Sequence, residues 1–122
     1  MPIKQIGIAL VSVLLSYTAL AAQLTAEQQA AKEKGITLYN QYKAISAEPY
    51  LEKAAKAGDR EAQYYLGEAL RLNKRFMTSE AQKWYIAAAE QGDYYAMFRL
   101  SDADNKSRRH APSPPPLVMR EL

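Results

Sequence analysis

Few residues in this chain have both the type and the spacing to do chemistry. Its one histidine, His110, falls in the proline-dense stretch KSRRHAPSPPP, where no scaffold would hold an imidazole against a nucleophile or a metal. There is no cysteine, which removes thiolate catalysis, thiolate metal sites and disulfides together. Metal sites draw on several convergent ligands, and no such cluster of His and Cys occurs; a glycine-rich phosphate loop is also missing. Glu48/Glu52 and Glu61/Glu68 recur at helical spacing and could in principle act as acid and base. They alternate with Lys53, Lys56 and Arg71, as the solvated face of a helix does. The residues therefore point away from an enzyme, and they imply neither a metal nor a cofactor.

The chain is instead rich in tyrosine, nine residues in all. Tyr42, Tyr50 and Tyr85 read as core positions. Tyr64-Tyr65 and Tyr94-Tyr95 are harder to bury, because neighbours on a helix point about 100° apart and cannot both serve one narrow apolar stripe. At least one of each pair should face a groove. Tyrosine is favoured at interfaces because it brings a large rigid surface with a polar tip.

The elements that must carry these side chains are written in an internal repeat. Residues 50–66 align without a gap on residues 84–100, every equivalence 34 positions apart: Tyr50/Trp84, Ala54/Ala88, Ala55/Ala89, Gly58/Gly92, Asp59/Asp93, Ala62/Ala96, Tyr64/Phe98 and Leu66/Leu100. Such a period marks stacked supersecondary units. Gly58 and Gly92 suit the left-handed residue that ends a helix, and the aspartate after each can cap the next one. So short a turn makes neighbouring helices antiparallel, and the paired alanines let their backbones close up. Thr25 with Gln28, and Ser79 with Gln82, fit capping boxes. Ser46 stands ahead of Pro49, which a first helical turn tolerates. The expected fold is all-α, a short α-solenoid of antiparallel pairs with helices at about 26–44, 47–57, 60–74, 79–91 and 94–104.

The ends differ from this middle. Met1 to Ala22 carries one lysine, an apolar run of about ten residues from Ile6 to Leu15, and then small residues, the order of a secretory signal. The run is short against the roughly 20 residues of a membrane span, so no stable anchor is expected. Cleavage is expected after Ala21, with Ala22 the neighbouring option, giving a signal at 1–21 and a periplasmic helical domain at 22–105. The stretch 106–122 reads as a disordered, extended proline-rich basic tail. Between Gln23 and Asn105 there are 11 basic and 12 acidic residues, whereas the tail holds 4 and 1. The helical domain thus lacks the clustered cations of a nucleic-acid-binding face.

Two stretches, Ala62-x-x-x-Leu66-Gly67 and Ala81-x-x-Trp84-Tyr85-x-x-Ala88-Ala89-x-x-Gly92, resemble the Sel-one-like repeat, a relative of the tetratricopeptide repeat. Leu38-x-x-x-Tyr42 followed by Ala47-x-x-Tyr50-Leu51-x-x-Ala54-Ala55-x-x-Gly58 resembles a second copy. The stretch Leu72 to Thr78 lacks the family's two loop glycines, and the last unit stops after its first helix, as a frameshift or early end near Asn105 would leave it. The resemblance implies a non-enzymatic protein-binding module. Its binding strip would be Tyr64, Glu68 and Arg71, with Ile36, Asn40 and Lys43 in the preceding unit and Phe98 and Asp102 in the last. A looser similarity, to Sel-one-like immunity proteins that neutralise type VI secretion phospholipase effectors, names one partner class; the alternative is an envelope adaptor. A final helix left without a second helix, with Ala96, Met97 and Leu100 uncovered, would favour self-association.

Overall fold

The computed structural model of the protein describes residues 23–113. They form five α-helices and no strand: α1 Ala26–Asn40, α2 Ala44–Lys56, α3 Arg60–Lys74, α4 Ser79–Glu90 and α5 Tyr94–His110. Each packs on the next, and α1 also reaches α3, as in a short all-α solenoid of antiparallel helices. The signal segment lies outside the described residues. No helix among them is long and apolar enough to cross a membrane.

The 34-residue period is set by helix caps. Thr25, Asp59 and Asp93 each accept from the amide three residues on, of Gln28, Ala62 and Ala96. Thr25 and Gln28 complete the expected capping box. Gly58 and Gly92 are left-handed, at φ +94° and +89°. Behind them the amides of Asp59 and Asp93 donate to the carbonyls of Ala54 and Ala88, at 3.2 and 3.1 Å. This back-bonded turn satisfies the orphan carbonyls of the preceding helix.

Four boundaries differ from the sequence reading, each for a local reason. The helix expected over 26–44 stops at Asn40 because the same turn forms a third time. There the Lys43 amide donates to Leu38 O at 2.9 Å, and the left-handed residue, at φ +61°, is Tyr42. Tyr42 is therefore no core residue; it is 99% exposed. The second helix then starts at Ala44, with Lys43 as an N-cap that makes no side-chain bond, so Pro49 lies one turn deeper than expected. Ahead of α4 the cap is Thr78, accepting from Ala81, in place of the Ser79/Gln82 box. The last helix runs to His110, because the prolines begin only at Pro112. Residues 106–110 thus belong to α5 instead of the tail, and His110 Nδ1 lies 2.8 Å from Lys106 O.

The core is built largely of the smallest apolar side chain. Nine of twelve buried hydrophobic residues are alanines, the others being Leu51, Leu66 and Tyr85, so the helices gain by backbone proximity more than by side-chain volume. One cluster joins Ala47, Leu51, Ala54 and Ala55 of α2 to Ala62, Leu66 and Ala69 of α3. A second joins Ala81, Tyr85 and Ala88 of α4 to Ala96 of α5, with Leu100 half-buried against it. Ala96 and Leu100 are thus covered by α4 itself. The uncovered apolar residues of α5 are Tyr94, Tyr95, Phe98 and, less so, Met97.

A non-glycine residue in the left-handed region costs roughly 1–2 kcal/mol, and Tyr42, which buries nothing, recovers none of it. Tyr42→Gly should stabilise the domain by about 1 kcal/mol, offset in part by glycine's greater freedom in the unfolded chain. A higher urea midpoint at unchanged slope checks this; an unchanged or lower midpoint shows that the ring makes contacts worth the strain.

Candidate functional site

Glu68 stands on α3 at a position the repeat pattern assigns to an exposed strip, yet its side chain is only 3% exposed. Its carboxylate accepts from four residues on four helices. Tyr39 Oη of α1 donates at 3.0 Å and Tyr85 Oη of α4 at 2.6 Å. Arg99 of α5 donates through Nε at 2.7 Å and Nη2 at 3.3 Å, and Arg71 of α3 through Nη2 at 3.3 Å. Arg71 Nε also donates to Tyr85 Oη, at 3.2 Å. Gly67 makes room for this arrangement: a Cβ there would meet the Tyr85 ring at 3.1 Å.

Burial alone would push the Glu68 carboxyl up. The hydrogen bonds from Tyr85, Arg99 and Tyr39 and the charge of Arg71 outweigh it, so its pKa lies below the ordinary value of 4.5. Burial, with the anion beside them, pushes the Tyr39 and Tyr85 hydroxyls far above the usual tyrosine range. The cluster is one fixed anion between two arginines and two neutral phenols.

Around it runs a chain of aromatic rings. Tyr39 meets Tyr65 at 5.2 Å between centroids and Tyr65 meets Tyr64 at 5.3 Å. Tyr64 meets Tyr85 at 6.1 Å and Tyr95 at 5.9 Å, and Tyr95 meets Tyr94 at 6.2 Å. Tyr64 and Tyr65 are half-buried, while Tyr94, Tyr95 and Phe98 are 75%, 67% and 60% exposed. Between the first turns of α3 and α5 the rings border a cleft of about 350 Å³ that also touches Arg60, Glu61 and Asp93. The expectation that at least one member of each tyrosine pair faces a groove holds for both.

The strip read from sequence divides in two. Tyr64, Glu68 and Arg71 do come together, but Glu68 is buried and Arg71 is tied to it, so neither is a free contact residue. Phe98 and Asp102 are exposed on α5. Ile36, Asn40 and Lys43 do not continue this strip. They stand 28 positions ahead of Tyr64, Glu68 and Arg71, whereas the caps hold α1 and α3 in a register of 34. Ala30, Lys34 and Thr37 are the true counterparts. Ile36 instead packs on the first core cluster. Asn40 and Lys43 border a separate groove of about 710 Å³ with Tyr42, Ile45 and Leu72.

Tyr39 and Arg99 went unseen in the sequence, since Arg99 lies 31 residues from Glu68 and Tyr39 lies 29, with no local pattern linking either to it. Among the described residues there is no group of three His, Cys, Asp or Glu placed to hold a metal ion. Comparison with protein-family models, with curated proteins and with solved structures finds no match to the chain.

Glu68→Ala would strand two half-buried arginines and two phenols. Breaking a buried pair costs about 3–5 kcal/mol, and the partial exposure of both arginines places this case near the lower end. With its folded pKa depressed, Glu68 contributes fully above the ordinary value of 4.5; that contribution disappears as the pH falls through the lower folded value. Urea unfolding of the wild type and of Glu68→Gln should therefore differ most near neutral pH and converge in acid. A gap independent of pH would show that the carboxylate is not ionised in the folded protein.

Proposed function

We propose that the chain is a non-enzymatic protein-binding module of the Sel-one-like kind, exported to the periplasm, whose partner seats along the groove between α3 and α5. The observation that carries this reading is the exposed aromatic set Tyr94, Tyr95 and Phe98 beside half-buried Tyr64 and Tyr65, on two helices held a fixed distance apart by Glu68 and Arg99. Aromatic residues in a row on a rigid scaffold are the usual anchors of protein interfaces. Catalysis would need a nucleophile or an acid–base pair open to a substrate, and the buried carboxylate here is saturated with donors. Export rests on the order of residues in Met1–Ala22, and the resemblance to immunity proteins supplies the partner class: a secreted phospholipase neutralised in the periplasm.

The test is titration of the mature chain against secreted phospholipases encoded beside its gene, by calorimetry and by inhibition of lipid hydrolysis. Binding with inhibition is expected, and Tyr95→Ala and Phe98→Ala should each weaken it by about 1–2 kcal/mol with helicity unchanged. Both residues are exposed and bond to nothing in the Glu68 cluster, so they probe the surface without disturbing the scaffold. Full affinity in both variants removes the groove from the interface. Binding without inhibition turns the reading to an envelope adaptor.

A further inference from the structure

The groove between α3 and α5 is not uniform along its length. The two helices run in the same direction, because α4 returns between them, so their first turns lie at one end and their last at the other. The tyrosines occupy the first end. Towards the other, a side-chain-sized cleft of about 100 Å³ is bordered by Arg71 and Arg75 from the α3 side and by Arg99 and Lys106 of α5, with Asp102 the one carboxylate among them. Phe76, 63% exposed, stands at the same cleft.

Basic residues in the last turn of a helix are ordinary, since they answer the helix dipole, and Lys74 and Arg108 do so here. It is less ordinary for two helices to present four cations across one cleft. Glu68 satisfies Arg71 and Arg99 only jointly, one anion for two guanidinium groups. Arg75 and Lys106 have no ion-pair partner among the described residues, and neither has Asp102. The cleft therefore holds surplus positive charge beside an exposed aromatic ring. Unpaired cations on both sides of a cleft attract carboxylates, and an arginine adds a fork that can meet both oxygens of one.

We infer that the protein partner presents an acidic segment to this end of the groove, its apolar side chains lying on the tyrosines and its carboxylates between Arg75 and Lys106. This rests on the protein-binding reading and adds to it the chemistry and direction of the bound segment. The probes are two fluorescein-labelled peptides that share an aromatic half, one continued by glutamates and the other by glutamines, titrated against the mature chain by fluorescence anisotropy. The glutamate peptide should bind about tenfold tighter at low salt and lose that advantage at high salt. It should also lose it in the double variant Arg75→Gln, Lys106→Glu, whose melting curve should match the wild type because neither side chain is buried. Equal binding of the two peptides, lost in Tyr95→Ala, overturns the acidic segment and keeps the aromatic groove. Binding of neither peptide discards both. An advantage that survives the double variant places the acid site elsewhere. A concentration-dependent dimer of the protein alone, abolished by the same double variant, gives the cleft to a second copy of the chain and also overturns the inference.

Discussion

One buried carboxylate holds the stack in register. Among the described residues Glu68 is the single group touched by side chains of α1, α3, α4 and α5 at once, and the one buried carboxylate. Removing a charge from water costs several kcal/mol unless paired and hydrogen-bonded in good geometry. Here that condition is met by donors from three neighbouring helices together with Arg71 of α3 itself. Any slip of α5 along α4 would withdraw Arg99, and any rotation of α4 would withdraw the Tyr85 hydroxyl. The cluster specifies one arrangement of helices where an apolar contact would accept several.

That specificity matters because the rest of the core is permissive. Alanine faces slide and rotate with little change in buried area, and a methyl group gains only about 0.8 kcal/mol on burial. The back-bonded turns at Tyr42, Gly58 and Gly92 set the angle between successive helices, but they act on neighbours alone. Links between helices two apart are partly aromatic, Tyr39 on Tyr65 and Tyr64 on Tyr95, and partly polar. Lys32 bridges Asp59 and Glu61 at 3.1 and 2.9 Å, and Gln91 Nε2 reaches Gly58 O and the Gln63 side chain at 2.9 and 2.8 Å. Local turns and long-range polar and aromatic contacts thus divide the task that larger apolar side chains perform in a thicker core.

This division explains what was legible in the sequence. Turns are local chemistry, and Gly-Asp twice at a spacing of 34, together with Thr25 and Gln28, gave away the all-helical repeat and most helix ends. The turn at Tyr42 is hidden because a tyrosine occupies the place of the glycine; with that signal missing, the sequence pattern runs α1 through it and sets the first unit six residues out of register. The Glu68 cluster was illegible for another reason. Its members are spread from Tyr39 to Arg99, and a glutamate on a helix beside an arginine looks the same whether it faces water or a phenol. The tyrosine pairs could be read in part, because two adjacent aromatic residues cannot share one stripe, which requires that at least one of Tyr94 and Tyr95 be exposed but does not say which; both are.

The same carboxylate joins the scaffold to the proposed binding surface. A groove between parallel helices can select a partner only if its width is fixed before binding, since ordering it afterwards would be charged against affinity. The Arg99–Glu68 contact fixes the width at the middle of the groove. It also sets the electrostatics, for an anion buried between two arginines neutralises one and leaves the other's charge to act towards the cleft. Burying Glu68 makes it the clasp of the solenoid, while it neutralises only one of its two arginines and so leaves the other's charge beside those of Arg75 and Lys106 at one end of the groove.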